Sequence, residues 1–133
     1  MIYLLDTNVC IAAMRGKNRV VQRLANCKPE DCGVSMVSVF ELFAGVARCR
    51  DPEKEGRKVN EFLTTLHLLS FDWDSALKAA EIRWELEKTG NRIGPYDLQL
   101  SGQALALDLI LVTHNTREFQ RVPGLRLDDW EVD

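Results

Sequence analysis

A chain of 133 residues, 46% apolar and 28% charged, can bury one hydrophobic core and is short for two ordinary domains. Its net charge of −3 excludes a polynucleotide partner held by overall charge, so any nucleic-acid contact needs a local basic patch. No window approaches the roughly 20 apolar residues of a membrane-spanning helix, so no membrane role is expected.

Residues 2–5 form an apolar run closed by Asp6-Thr7-Asn8, which reads as a buried strand ending in a polar turn. The run is too short for a signal peptide and lacks a basic leader, and Asp6 and Asn8 interrupt it. Residues 9–14 read as a short helix stopped by Gly16. Asn18 then caps a second helix over 18–26, with Val20, Val21 and Leu24 on its apolar face. Residues 33–37 read as a second strand, followed by a helix capped by Ser38 that carries Val39, Phe40 and Phe43. Residues 48–55 are a charged break, and 58–66 continue as helix through Val59, Phe62, Leu63 and Leu66. A third strand is expected at 68–71, then a helix capped by Asp74 and running to about Lys88, where Thr89-Gly90-Asn91 ends it. Pro95 suits a first helical position because its missing N–H costs nothing there, and that helix extends to Ala106. Residues 109–113 read as a buried strand, 116–120 as one helical turn, and 124–127 as a last short strand. Strands alternating with helices predict one α/β domain over residues 1–133 with a parallel sheet and helices on both faces.

Cys10, Cys27, Cys32 and Cys49 contain no C-x-x-C pair and no histidine at metal-ligand spacing. They read as reduced, buried thiols, which points to a cytoplasmic protein.

The chemistry-bearing residues are acidic. In an open parallel sheet, ligands bind beyond the carboxyl ends of the strands. Asp6 follows the first strand directly and Asn115 lies just past the strand ending at Thr113, so parallel pairing brings both to one edge. Glu41 has Val37, Ala44 and Gly45 for helical neighbours, an apolar or small face on which an unpaired carboxylate is costly. Gly45 also leaves room for a close approach. Asp97 occupies the first turn of its helix, above Leu100, Ser101 and Ala104. Carboxylates converging on one crevice repel one another, and a hard divalent cation relieves the repulsion. Magnesium prefers oxygen ligands, keeps several waters and needs only one or two carboxylates beside substrate phosphate.

Structural roles compete for each residue taken singly. Ser38 and Glu41 have capping-box spacing, Asp97 would complement a helix dipole, Asp6 would form an Asx-turn, and Asn115 with Glu118 would cap a helix. His67 and His114 are too few for a histidine-based site. Trp84, on an amphipathic helix, reads as core or dimer interface.

The motif order resembles one family. Leu4-Leu5-Asp6-Thr7-Asn8, Ser38-Val39-Phe40-Glu41-Leu42 with Gly45, Ile93-Gly94-Pro95-Tyr96-Asp97, Leu111-Val112-Thr113-His114-Asn115-Thr116-Arg117-Glu118-Phe119 and Val122-Pro123-Gly124-Leu125 through Asp129-Trp130 are similar to VapC-type toxins. These are the PIN-domain ribonucleases of bacterial toxin–antitoxin pairs. The resemblance implies a three-layer α/β/α sandwich, a Mg2+-dependent endoribonuclease (with Mn2+ as an alternative ion), metal ligation by Asp6, Asp97 and Glu41, and orienting roles for Thr7, Asn8 and Thr113. Asn115 stands where the family often carries a further acidic residue, which leaves one or two metal ions open. The resemblance further implies a homodimer, a cognate antitoxin covering the active-site groove, DNA contact only through that antitoxin, and an RNA substrate, with initiator tRNA cut in its anticodon loop as the candidate. Arg15, Lys17, Arg92 and Arg117 lie near the acidic motifs and are the candidate RNA-binding cations. A PIN nuclease of RNA processing without an antitoxin and a non-catalytic binding module are the alternatives.

Overall fold

The computed structural model describes residues 1–132. Its centre is a sheet of five strands: β1 (Tyr3–Leu5), β2 (Cys32–Ser35), β3 (His67–Leu69), β4 (Ile110–Val112) and β5 (Leu127–Asp128). Their order is β3-β2-β1-β4-β5, and every neighbouring pair is parallel. The order reverses between β1 and β4. Leu5 pairs with Val112 there, and the Asp6 N–H continues the ladder by donating to the Val112 carbonyl at 3.0 Å. Such a switch point opens a crevice at the carboxyl ends of the two strands.

Alternate strand residues build two cores. Leu5, Val34 and Val112 pack with Val9, Val20, Leu42, Val59 and Leu63. These come from helices α1 (Thr7–Met14), α2 (Asn18–Ala25), α3 (Met36–Ala47) and α4 (Pro52–Leu63). On the opposite face Leu4 and Leu111 pack with Leu100, Ala104 and Phe119. These belong to α6 (Pro95–Ala106) and α7 (Thr116–Phe119). Each fully buried Leu contributes roughly 1.5–3 kcal/mol of transfer free energy, so the two cores hold the strand ends in register. Helix α5 (Trp73–Lys88) lies on α6. A Cβ at Gly102 would stand 2.6 Å from the Ala79 backbone nitrogen, so only glycine permits this approach of the two helices. The expected three-layer α/β/α sandwich is what the chain adopts.

Several boundaries differ from the sequence reading, each for a local reason. Ser35, rather than Ser38, caps α3: its hydroxyl accepts from the Val37 N–H at 3.0 Å, and the helix begins one turn earlier than expected. Ser38 is buried inside that helix. Asp72, rather than Asp74, caps α5 by accepting from Ser75 N–H at 2.9 Å. The charged break ends early because Asp51 caps α4 with Pro52 in the first turn, so the helix starts at Pro52 and stops at Leu63. A 3-10 turn over Pro29–Asp31 was not anticipated. Gly16 (φ 76°) follows α1, a left-handed position that stops a helix at little cost only with glycine. Nothing approaches within 4 Å of a Cβ built on Gly45, so the close neighbour expected there is not seen among the described residues. Trp84 is 60% exposed, with the Lys88 ammonium 5.7 Å from its ring centre, and is not a core residue. No helix of the described residues is long and apolar enough to cross a membrane.

Candidate active site

Asp6 sits where β1 becomes α1. It caps α1, its Oδ1 accepting from Val9 N–H at 2.8 Å, and it is 5% exposed. Burial raises its proton affinity above the ordinary carboxylate value. Hydrogen bonds from Thr113 and Val9 oppose that rise, while the charges of Glu131 and Glu41 add to it. Thr113, at the end of β4, is fully buried and its Oγ1 accepts from the Asn115 N–H at 3.0 Å. A hydroxyl whose acceptor side is occupied in this way turns its proton toward Asp6.

Thr7 begins α1 and faces α3. Its Oγ1 donates to Glu41 Oε1 at 2.7 Å and lies 3.0 Å from Ser38 Oγ. One hydroxyl has one proton, so the second bond takes its proton from Ser38. This assigns Ser38 to the orientation of Thr7 and Glu41 and removes the capping-box explanation for Glu41.

Asp97 lies in the first turn of α6, half-buried below Gly94 and Pro95. Its proton affinity is pushed up to about 6, first by burial and then by the charges of Glu118, Asp6 and Glu41. The four carboxylates Asp6, Glu41, Asp97 and Glu118 therefore share one field. Sequence reasoning set Glu118 aside as a capping partner of Asn115. The two do touch, Asn115 Nδ2 donating to Glu118 Oε2 at 2.7 Å, while Glu118 Oε1 accepts from Gly94 N–H at 3.3 Å. The Asn115 side chain makes no cap bond to the α7 backbone. Its neutrality is thus made up by an acid one turn later in α7, a signal present in the Asn115–Glu118 spacing.

The remaining candidates are spread around this edge. Asn8 is exposed and hydrogen-bonds to none of the carboxylates among the described residues; it lines a cavity with Ile11, Ala12, Arg15, Lys17 and Glu131. Lys17 is not free, because its ammonium pairs with Glu131. Arg15, Arg92 and Arg117 are exposed and their guanidinium groups have no carboxylate partner among the described residues. His114 lies 3.0 Å from Asp129 and 3.6 Å from Glu131. These three offer ligand atoms within 4.8 Å of one another. Lys17 already neutralises part of that charge.

The chemistry of the main cluster suits a hard cation. Two of its acids bind protons more tightly than free carboxylates because each is desolvated and repelled by the others. A divalent ion relieves both effects. Magnesium takes only one or two direct carboxylates and retains waters, so an open group of four acids fits it better than a closed cage would.

A model of the PIN domain family matches residues 3–125. The chain is 34% identical over 128 residues to the tRNA(fMet)-specific endonuclease VapC of Salmonella typhimurium, covering 96% of this chain and 97% of that one. It is likewise 34% identical over 136 residues to ribonuclease VapC2 of Rickettsia felis, covering 98% and 99%. The crystal structure of DNA-bound VapBC from Salmonella typhimurium superposes with a TM-score of 0.93 at 34% identity, over 98% of each chain.

Proposed function

The chain belongs to the PIN domain family in its VapC ribonuclease branch, and from that premise we propose that it is the toxin of a toxin–antitoxin pair, a metal-dependent endoribonuclease whose substrate is initiator tRNA cut in the anticodon loop. The observation that carries the reading is that Asp6 ends β1 at the β1/β4 switch point and its neighbour Thr7 donates to Glu41 of α3 at 2.7 Å, with Asp97 near enough for its proton affinity to be raised by both acids.

Asp6 and Asp97 hold Mg2+ (or Mn2+), with Glu41 completing the set. A divalent ion held there would supply Lewis-acid chemistry to the phosphodiester and to an attacking water. Asp6 is fixed by the Val9 N–H and the Thr113 hydroxyl, so its oxygens do not have to reorganise when the substrate arrives. Thr7 commits one oxygen of Glu41 and leaves the other without a hydrogen bond among the described residues, available to a water proton. Glu118 and Asn115 hold the opposite rim, tied through Gly94 to the start of α6. Arg15, Arg92 and Arg117 supply the local positive charge that a chain of net charge −3 lacks overall. Lys17 contributes only where the substrate competes it away from Glu131. The functional unit is a homodimer held inactive by an antitoxin that covers this edge, and contact with DNA comes through the antitoxin.

Sequencing RNA 5′ ends after induced expression tests the reading. New ends confined to the anticodon loop of initiator tRNA, absent with Asp97→Asn, are expected. Identical end profiles for the wild type and Asp97→Asn contradict it.

A further inference from the structure

Beside the acidic edge, α5 and α6 part around a cavity of about 260 Å³. Leu86 of α5 and Ile93, Pro95 and Leu98 at the start of α6 make its walls, and Arg83 and Arg92 stand at its rim. We propose that this cavity is a base-binding subsite: it takes one unpaired nucleobase of the RNA, from a nucleotide flanking the scissile phosphate, while Arg92 engages the backbone. The inference rests on the ribonuclease reading above and adds to it a determinant of where the RNA is cut.

The placement comes first. Pro95 and Leu98 share one face of α6 and Asp97 projects from another, and the two meet at the loop before the helix, where a Cβ built on Gly94 would stand 4.0 Å from Asp97 Oδ2. The loop carrying Arg92 and Ile93 is pinned at both ends to the α7 region. Arg121 Nη1 donates to the Arg92 carbonyl at 2.9 Å, and Gly94 N–H donates to Glu118 at 3.3 Å. The loop that lines the cavity is therefore tied to Glu118, as a subsite that sets the register of a substrate requires.

Size and chemistry select the occupant. Pockets for drug-sized ligands run from about 300 Å³ upward, so this one suits a single planar ring system. Apolar walls suit the faces of a base. Arg83 Nε donates to Glu87 Oε1 at 2.9 Å, which sets a cationic donor beside an anionic acceptor at the cavity wall. Base edges carry complementary acceptors and amines, and guanidinium and carboxylate groups read them. Arg92, exposed and without a carboxylate partner among the described residues, is left for phosphate.

The test is an abasic scan of a synthetic initiator-tRNA anticodon stem–loop, cleaved in Mg2+ by the wild type, by Ile93→Trp, which fills the cavity, and by Arg92→Ala. For the wild type, removing the base at one position next to the cut lowers kcat/KM roughly tenfold, the scale of withdrawing one ring face from water against the walls of Leu86, Ile93, Pro95 and Leu98. In Ile93→Trp that penalty falls to about twofold or less, because base and cavity act as a coupled pair. Arg92→Ala keeps the position-specific penalty but lowers kcat/KM uniformly across the scan. Calorimetric Mg2+ binding by both variants matches the wild type, which reports an intact acidic edge. An abasic profile for Ile93→Trp that parallels the wild type, or a wild type indifferent to every abasic position, overturns the subsite and leaves the nuclease standing. A stem–loop that the wild type leaves intact counts against the substrate reading and takes the subsite with it.

Discussion

Asp6 and Asp97 face the same crevice and both bind protons more tightly than free carboxylates, yet the protein holds them differently. Asp6 is buried, caps α1 through Val9 and receives the Thr113 hydroxyl. Asp97 is half-buried, carries no side-chain hydrogen bond among the described residues, and has its proton affinity set by burial and the Glu118 charge. One acid is fixed by hydrogen bonds, while the other is only desolvated and repelled by its neighbours. Loss of either acid should stop catalysis, but only loss of Asp6 removes a helix cap from the fold.

The largest effect expected is on cleavage. Asp6→Asn and Asp97→Asn each lower kcat/KM by more than about 100-fold, beyond the 10–100-fold typical of groups that only orient a metal ligand. EDTA does the same to the wild type and excess Mg2+ restores it, read by gel assay on the stem–loop. Next in size are the stabilities. Asp6→Ala loses the cap and costs about 1 kcal/mol, whereas Asp6→Asn keeps an oxygen for Val9 and sheds a charge that burial disfavours, so it costs little. Asp97→Asn, with no cap to lose, stabilises. Its folded proton affinity, at about 6, lies above the unfolded value of 3.8, so the folded state holds the proton more tightly. For the metal-free protein, ionised Asp97 therefore lowers stability progressively as pH rises from about 4 to 6, a cost that persists above that window. Metal-free Asp97→Asn should melt above the wild type at pH 7 and level with it near pH 4.

Proton competition supplies a third contrast. Mg2+ affinity should fall as pH drops through about 6, where Asp97 takes its proton. Glu118→Gln removes a charge that raises this value and should move the midpoint lower, measured by calorimetry across pH. The smallest effect is Thr7→Val, which leaves both acids in place but frees Glu41. A loss of about tenfold in kcat with little change in KM is expected, the low end of outer-shell effects. A Thr7→Val variant as inactive as Asp97→Asn would place Thr7 among the groups that touch the reacting atoms.

Much of this was readable before folding, and the misses have physical causes. Apolar runs bounded by polar turns located β1, β2 and β4, whose residues are largely buried, and β3 to within a residue or two, whereas the last strand, expected at 124–127, forms at Leu127–Asp128, where neither residue is fully buried. Asp6 was legible because a carboxylate at a strand end in a parallel sheet has a known destination. Ser38 was misread because Ser35 and Ser38 both offer hydroxyls near the start of α3, and only tertiary contact with Thr7 separates cap from site. Glu118 was passed over for the same kind of reason. Its spacing to Asn115 satisfies a local rule, while its field on Asp97 is a long-range fact that one-dimensional spacing does not carry. The engagement of Lys17 with Glu131, 114 residues away, was likewise invisible until the chain end closed over α1.

Catalysis by Asp6 and Asp97 through bound divalent metal is the central proposal. Its most direct test is Mg2+ binding by calorimetry, run in parallel with stem–loop cleavage, for the wild type, Asp6→Asn and Asp97→Asn. Binding and cleavage should disappear together in both variants. Cleavage surviving in a variant that no longer binds Mg2+, or full activity of the wild type in EDTA, would contradict the account.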